Sequence, residues 1–201
     1  MTNAHNNKHL PSSAPPQVVY RAPEIAQAIE TLAQGIVSRH SDPRGLGLIG
    51  VHTGGDLLVR RVEQALARQC GLADLSLDKG LVDISFYRDD WTRLRQMPTV
   101  KATLIPFDLN GREVVLIDDV IFTGRTVRAA LDAMFSQGRP DRVDFAVLVD
   151  RGHREFPIRP DWIGLNLSTQ RHQAVNVFLF DDSVKDHVIL EDRKYQILNG
   201  S

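Results

Sequence analysis

The sequence predicts an α/β fold, with a mainly parallel central sheet flanked by helices on both faces. Short apolar segments, bounded by turn residues, alternate along the chain with amphipathic segments of helical period. Several of the apolar segments are continuously hydrophobic, which is typical of parallel strands that are covered on both faces. The chain has 201 residues, of which 42% are hydrophobic and 24% charged, and this suits one globular domain with a substantial core.

Residues 1–19 differ from the rest of the chain in composition. They are rich in Asn, Ser, Pro and His, which predicts a disordered N-terminal tail over 1–19 and a single domain over 20–201. A first helix is expected to begin at Ala22, because Pro23 suits the first turn and Glu24 interacts favourably with the positive end of a helix. Its apolar positions follow helical spacing: Ile25, Ile29, Leu32 and Ile36.

The next elements are a strand, a helix and a second strand. Residues 45–51 predict a buried strand, and the helix after the turn at 52–55 has one apolar face and ends near Gly71. Residues 81–90 alternate as in a strand. Residues 91–103 have no clear period and include several basic residues, which predicts a long, flexible lid loop.

The C-terminal half continues the alternation of strands and helices. A strand at 112–119 is followed by a helix that stops at Gly138, and residues 142–150 predict another strand. Residues 151–162 look irregular, and residues 174–180 predict a late strand.

Polar residues stand at the carboxyl ends of these strands, where the ligands of a parallel sheet collect. Asp118 and Asp119 end one buried strand, and they precede the turn Thr123-Gly124-Arg125-Thr126. That turn would place backbone N–H groups and hydroxyls at the start of a helix, so it predicts a phosphate-binding site. It differs from the Walker pattern because no Gly-Lys-Ser/Thr follows.

The adjacent carboxylates at 118 and 119 also predict a ligand. Like charges at a buried strand end are unfavourable unless a cation or hydrogen-bond donors use them. The two groups can accept hydrogen bonds from a vicinal diol, or they can hold a hydrated Mg²⁺ indirectly. A diol and a phosphate recognised a few residues apart suggest a phosphorylated ribose.

The segment "VVLIDDVIFTGRTVRAA" resembles the phosphoribosyl-diphosphate (PRPP) signature of type I phosphoribosyltransferases. Together with "DISFYRDD" before it and "FAVLVDRGHREFPIRPDW" after it, the segment resembles the PyrR family of bifunctional pyrimidine operon regulators and uracil phosphoribosyltransferases. The similarity covers about residues 22–190. It implies a type I phosphoribosyltransferase fold with a small hood region and a flexible lid.

The resemblance implies that the chain converts uracil and PRPP to UMP and pyrophosphate. Asp118 and Asp119 would be catalytic residues that hold the ribose hydroxyls beside the positive charge developing at C1. The 5′-phosphate would bind at Thr123, Gly124, Arg125 and Thr126. Mg²⁺ is the implied cofactor, bound mainly through substrate and water with no direct protein ligand.

The pyrophosphate site that the resemblance implies is the turn after the first parallel strand, at Thr53 and Gly54. Gly54 stands where the family usually has an arginine, so one cation for pyrophosphate is missing, and His52 or lid residues would have to substitute for it. Arg88, just before the lid, is a third catalytic candidate that would stabilise pyrophosphate when the lid closes. The alternative for Arg88 is an ordinary surface ion pair.

Asp150 and Arg151 end a strand beside the expected base pocket, where they would frame the uracil or serve a structural role. PyrR-type regulators also bind an RNA hairpin in response to uridine nucleotides. His153, Arg154 and Arg159 match the family positions for RNA contact, whereas Leu165 replaces a later lysine. RNA binding and an ordinary mixed surface therefore both stay open.

Two other functions are alternatives to the uracil enzyme. The first is an RNA-binding attenuation regulator that senses UMP and has little catalytic activity, and the second is a purine phosphoribosyltransferase, which Asp118 and Phe122 disfavour. The 24 Lys and Arg nearly balance the 25 Asp and Glu, so an operon leader RNA would need a local basic patch. The single cysteine and the lack of a membrane-length apolar stretch predict a cytoplasmic protein without membrane partners, and the resemblance implies a homo-oligomer, a dimer or a tetramer.

Overall fold

The structure is a computed structural model that describes residues 15–52, 54–84 and 103–192. In chain order the strands and α-helices are β1 (Gln17–Arg21), α1 (Ala22–Arg39), β2 (Gly47–Val51), α2 (Gly55–Cys70), β3 (Asp78–Val82), β4 (Glu113–Ile121), α3 (Arg125–Phe135), β5 (Arg142–Asp150), β6 (Trp162–Asn166), β7 (Gln173–Phe178) and β8 (His187–Asp192). Five strands form the central sheet in the order β3-β2-β4-β5-β6, and every neighbouring pair in it runs parallel. The predicted parallel sheet is confirmed.

Helices cover both faces of this sheet, as the sequence predicts. Alternate residues of β4 point to opposite faces, so Val115 and Ile117 join the core beneath α1 and α2, while Leu116 joins the core beneath α3. The α1 start is also as expected, since the Glu24 carboxylate accepts the backbone N–H of Arg21 at 2.8 Å. No helix in the described part of the chain combines the length and apolar character that a bilayer span requires.

A second, antiparallel sheet has the strand order β1-β8-β7, and we call these strands the hood. Val175 and Val188 of the hood join the core on the α1–α2 side of the central sheet. The hydroxyl of Tyr20 donates a hydrogen bond to the carbonyl oxygen of Asn166 at 2.9 Å, which connects β1 with the carboxyl end of β6. The hood therefore lies against the edge of the central sheet at which the predicted ligand residues stand.

The predicted N-terminal tail ends too late, because residues 17–19 belong to strand β1. Residues from Gln17 onward pair with β8, and Val19 and Tyr20 pack against the core. The composition of 1–19 did not indicate this strand because its partner comes from the opposite end of the sequence. Residues 1–14 lie outside the described part of the chain.

Three further differences concern strands. β3 begins and ends earlier than the strand predicted at 81–90, and residues 85–102, with most of the predicted lid, lie outside the described residues. β6 begins at Trp162, the last residue of the segment predicted to be irregular, and it lies at the sheet edge with all its residues partly or fully exposed. β8 is an additional strand, which pairs with β1 and with the predicted late strand β7.

Candidate functional site

A cavity of about 410 Å³ lies between the carboxyl ends of the central strands and the hood. Its walls come from both sheets and from the turns after β2 and β4. The lining residues are His52, Gly54, Ile84, Asp118, Asp119, Val120, Thr126, Val175, Asn176, Val177 and Phe178. The structure therefore brings together four of the residues that the sequence predicts for ligand binding: Gly54, Asp118, Asp119 and Thr126.

The two oxygens of the buried Asp118 carboxylate have different surroundings. The residue is only 4% exposed, and its Oδ1 accepts the backbone N–H of Asp119 at 3.0 Å. Its Oδ2 is buried and has no hydrogen-bond partner in the described structure. A buried acceptor of this kind is unfavourable unless a ligand supplies a donor.

Both acids ionise less readily than ordinary aspartates. Burial raises the pKa of Asp118 well above its usual range, and the neighbouring charge of Asp119 raises it further. Burial likewise raises the pKa of Asp119. A ligand with hydroxyl donors or an associated cation would favour the ionised forms, so ligand binding and ionisation of this pair are coupled.

The turn from β4 to α3 ends in a helix start that suits an anion. Gly124 has a φ of +91°, and a Cβ added to it would lie 3.3 Å from the Cβ of Phe156, so glycine is required there. The helix has no side-chain cap and no acid in its first turn. The N–H of Arg125 donates to the Thr123 hydroxyl oxygen at 3.3 Å, and the N–H groups that follow it, with the positive dipole end, would suit a phosphate next to Thr126. The Arg125 side chain points elsewhere, because its Nε donates to Glu155 at 2.9 Å.

The turn from β2 to α2 forms another wall of the cavity. A Cβ added to Gly54 would lie 3.0 Å from Oδ2 of Asp119, so this turn approaches the acid pair closely. His52, which precedes it, has a buried Nδ1 without a hydrogen-bond partner in the described structure. Thr53 and Arg88, two of the predicted pyrophosphate ligands, lie outside the described residues.

A second cavity of about 400 Å³ adjoins the first on the α2 side. It is lined by Gly54, Asp56, Leu57, Asp119, Val177, Phe178, Leu179 and Phe180. Phe178 and Phe180 are 39% and 38% exposed, and both rings stack on His187, with centroid distances of 5.0 and 5.9 Å. The hood therefore presents an aromatic surface beside the acid pair.

Asp150 and Arg151, predicted for the base pocket, line neither of these cavities. The guanidinium of Arg151 is buried 4.0 Å above the Phe122 ring, and it donates to the carbonyl oxygen of Gln170 at 3.1 Å. The Asp150 carboxylate accepts the backbone N–H of Gly152 at 2.8 Å. These contacts favour the structural role for both side chains, since they hold neighbouring loops together.

The residues predicted for RNA contact have different surroundings. His153 has a φ of +62°, and its Nε2 lies 2.8 Å from the carbonyl oxygen of Thr169. Arg154 is used internally, because it donates to Asp150 at 2.6 Å and to the carbonyl oxygen of Phe122 at 2.9 Å. Arg159 is exposed. The Leu165 side chain packs against the core, which accounts for an apolar residue at that position.

The hood residues of the cavity wall, Val175 to Phe178, were not predicted from the sequence. They belong to β7, and among these four residues Asn176 is polar and the other three are apolar. Asn176 is the one signal that could have pointed to them. Its amide, however, donates to Glu191 of β8 at 2.9 Å.

The chain is similar throughout the described domain to known proteins. A family model described as the phosphoribosyl transferase domain matches residues 17–181. The bifunctional protein PyrR of Syntrophobacter fumaroxidans is 49% identical over 175 residues, which cover 87% of this chain and 92% of that protein. The bifunctional protein PyrR of Deinococcus radiodurans is 43% identical, and the match covers 90% of this chain and 97% of that protein.

A solved structure shows the same fold at low sequence identity. The hypoxanthine phosphoribosyltransferase of Trypanosoma cruzi superimposes with a TM-score of 0.62 at 20% identity, and the match covers 88% of this chain and 97% of that chain. The parallel sheet, the acid pair and the uncapped helix start thus occur in a chain that the family model matches over most of its length. The chain belongs to the phosphoribosyl transferase domain family and, within it, to the family of the bifunctional PyrR proteins.

Proposed function

We propose that the chain transfers the phosphoribosyl group of PRPP to uracil, which gives UMP and pyrophosphate. The observation that supports this best is the shared cavity of Asp118, with its unpartnered Oδ2, and Thr126, at the uncapped start of α3. A ribose hydroxyl would donate to the carboxylate, and the 5′-phosphate would accept the helix N–H groups. Family membership and the segments "DISFYRDD" and "DRGHREFPIR" favour uracil as the base.

The proposed reaction is a substitution at C1 of the ribose. The bond from C1 to the diphosphate oxygen breaks, and the diphosphate leaves with the electron pair. N1 of uracil forms the new bond to C1, and its proton passes to the solvent or to the departing diphosphate. Asp118 and Asp119 would stabilise the positive charge that develops on the ribose, and the enzyme would act through positioning and charge stabilisation, with no protein nucleophile.

The described residues fit a magnesium ion held mainly by its substrate. The cavity presents the acid pair, but no group of three or more His, Cys, Asp and Glu in the described part of the chain could hold a metal by itself. Asp118 and Asp119 would instead accept hydrogen bonds from the water molecules of the ion. When bound, magnesium neutralises charge on the diphosphate. We therefore expect the transfer activity to require magnesium and to be abolished by EDTA.

Release of pyrophosphate from PRPP, measured with uracil, hypoxanthine and guanine in turn, tests the proposal. Release should depend on uracil, and it should be lost in the double variant Asp118→Asn with Asp119→Asn. Release with hypoxanthine or guanine in place of uracil would show the purine alternative instead. Absence of release with every base would contradict both enzyme assignments.

A second function, UMP-dependent binding of a pyrimidine operon leader RNA, is favoured by the exposed Arg159 and by family membership. Arg154 has less support, because its guanidinium is used within the protein. Gel-shift titration with leader RNA, with and without UMP, tests this function. Arg159→Ala should weaken the complex, and binding that ignores both RNA sequence and UMP would argue against regulation.

The proposed setting is the cytoplasm, where a chain with one cysteine stays reduced, and the proposed assembly is a homo-oligomer. Sedimentation velocity at several protein concentrations would show a dimer or tetramer. A monomer at all concentrations would contradict this assembly.

A further inference from the structure

The backbone of the turn between β4 and α3 is held by a segment that follows β5. Three successive carbonyl oxygens of the turn, at residues 121–123, accept hydrogen bonds from residues 151–156. The donors are the backbone N–H of Arg151 to Ile121 at 3.2 Å, the guanidinium of Arg154 to Phe122 at 2.9 Å, and the backbone N–H groups of Glu155 and Phe156 to Thr123 at 2.9 and 3.1 Å. None of these four donor residues lines either cavity of the candidate site, so the segment supports the turn from outside those cavities.

One ion pair fastens the same segment to the first residue of α3. The Nε of Arg125 donates to Oε2 of Glu155 at 2.9 Å, and its guanidinium lies 5.3 Å from the centre of the Phe156 ring. The other carboxylate oxygen of Glu155 accepts Arg171, from the loop between β6 and β7. The hydrogen bond from Arg125 lowers the pKa of Glu155, so this carboxylate is ionised at neutral pH. Glu155 therefore joins the start of α3 to two other segments.

The turn requires support of this kind because it contains Gly124. Glycine has more conformational freedom than any other residue, and the φ of +91° at Gly124 is one of several values open to it. Contacts from outside the turn therefore fix the directions of the N–H groups that would receive a phosphate. A ligand that meets N–H groups already in place does not have to order them, and this strengthens binding.

The contact with Glu155 also distinguishes two roles for the Arg125 side chain. If the guanidinium bound the 5′-phosphate directly, Glu155 would compete for it, and removal of this carboxylate would strengthen phosphate binding. If the guanidinium instead fastens the turn, removal of the carboxylate would loosen the turn and weaken phosphate binding. The structure favours the second role, because the Arg125 side chain contacts Glu155 and Phe156, whereas it is the neighbouring Thr126 that lines the cavity.

We infer that Glu155 is a positioning residue for the 5′-phosphate, which acts through Arg125 to hold the turn at the start of α3 in its binding conformation. The inference rests on the proposed function, because it takes the phosphate of UMP or PRPP to bind at this turn. It assigns the side chains of Glu155 and Arg125 to the support of the phosphate site, and leaves contact with the phosphate to the backbone N–H groups and the hydroxyl of Thr126.

Calorimetric titration of the full chain with UMP and with ribose 5-phosphate tests the inference. Glu155→Ala should weaken the binding of both ligands about fivefold, as expected when a loosened turn must be ordered on binding. The two ligands share the phosphate, so the factor should be the same for each. Glu155→Gln keeps an acceptor oxygen for Arg125, and it should restore both affinities to within about twofold of the unmodified protein.

A double-mutant cycle shows whether Glu155 and Arg125 act through one contact. Arg125→Ala should weaken UMP binding at least as much as Glu155→Ala does, and the double variant should lie within about twofold of Arg125→Ala alone. Arg171→Ala is the matched control, because it removes the other ion pair of the same carboxylate and leaves the pair with Arg125 in place. Its affinity for UMP should stay within about twofold of the unmodified protein.

The outcomes separate this inference from the proposed function. If the unmodified protein binds neither UMP nor ribose 5-phosphate, the proposed function is contradicted. If it binds both, unchanged or tighter binding by Glu155→Ala overturns the inference, and so do additive losses in the double-mutant cycle. Glu155→Ser, whose hydroxyl is too short to reach Arg125, provides the same test if Glu155→Ala does not fold.

Discussion

Asp118 shows how a carboxylate that is unfavourable for folding can be suited to a ligand. Its Oδ1 is satisfied by the backbone N–H of Asp119, but its Oδ2 has no partner and both carboxylates are crowded at a buried strand end. Burial followed by the charge of Asp119 raises the pKa of Asp118. The folded chain therefore holds this proton more firmly than the unfolded chain does.

Replacement of Asp118 by Asn should stabilise the protein at neutral pH. A raised pKa means that stability falls as pH rises from about 3.9, the unfolded value, through the folded pKa. Asn carries no charge and removes this loss, so we expect a gain of about 1–3 kcal/mol in the free energy of unfolding at pH 7 and little gain near pH 4. Urea unfolding of both proteins between pH 4 and 8 measures this gain in the free energy of unfolding.

The control for this experiment is Asp74→Asn, which changes an exposed acid and should leave the pH profile as it is. Asp118→Asn should also weaken ribose 5-phosphate binding about tenfold or more, because the variant loses the charged acceptor. A variant that is less stable than the parent at pH 7 would contradict the assignment of like-charge strain to this pair.

At the scale of elements, the end of α1 is fastened to β5 by the buried carboxylate of Asp144. Its Oδ2 lies 2.7 Å from Nε2 of His40, and its Oδ1 accepts Arg39 at 2.7 Å and Arg142 at 2.9 Å. Burial raises the pKa of Asp144, but these hydrogen bonds outweigh burial and leave the pKa below its usual value. The stability from this cluster is present above about pH 3.9 and is lost as pH falls through the folded pKa.

Asp144→Ala should destabilise the fold by about 2–4 kcal/mol, because it leaves the buried His40 without one partner and removes a carboxylate from Arg142 and from Arg39, which keeps Asp161 at 2.6 Å. Glu113→Ala is a matched control. Its carboxylate is 3.0 Å from Nδ1 of the same histidine but half exposed, so its loss should cost less than about 1 kcal/mol. Thermal or urea unfolding measures both variants. If Asp144→Ala and Glu113→Ala lower the free energy of unfolding equally, burial does not decide the contribution of these pairs.

The elements that the sequence predicts well are those whose signals are local. The acid pair, Gly124 and the amphipathic face of α3 lie within one continuous segment, so the strand, the turn and the start of the helix could be predicted together. The hood could not, because β1 and β8 pair residues from opposite ends of the chain. Likewise, the position of Arg151 is set by Phe122 and Gln170, and nothing near it in sequence indicates a buried guanidinium.

At the scale of the whole molecule, the candidate site depends on how the hood is attached to the central domain. Asp186, in the loop between β7 and β8, is 4% exposed and accepts the backbone N–H of Phe180 at 2.9 Å. The guanidinium of Arg61 on α2 binds both oxygens of this carboxylate and also the carbonyl oxygen of Phe180. Arg61 of α2 therefore holds in place the connection between β7 and β8, which directly follows the β7 residues of the cavity wall.

Arg61→Ala should weaken both the fold and the site, although Arg61 lines neither site cavity. Removal of one partner from a buried ion pair leaves the Asp186 charge unpaired, and we expect a loss of about 3–5 kcal/mol in unfolding free energy. Because the hood supplies Val175 to Phe178, affinity for UMP should fall with it, by about threefold or more at a temperature where the variant is still folded.

Arg60→Ala provides the matched control from the neighbouring position on the same helix. Arg60 is half exposed, and its ion pair with Asp56 lies on the helix surface, so its loss should cost less than about 0.5 kcal/mol. Thermal unfolding and UMP titration of both variants separate the two effects. If Arg61→Ala lowers stability but leaves UMP affinity equal to that of Arg60→Ala, the hood binds its ligand independently of this contact. The nucleotide site then depends on the central sheet alone.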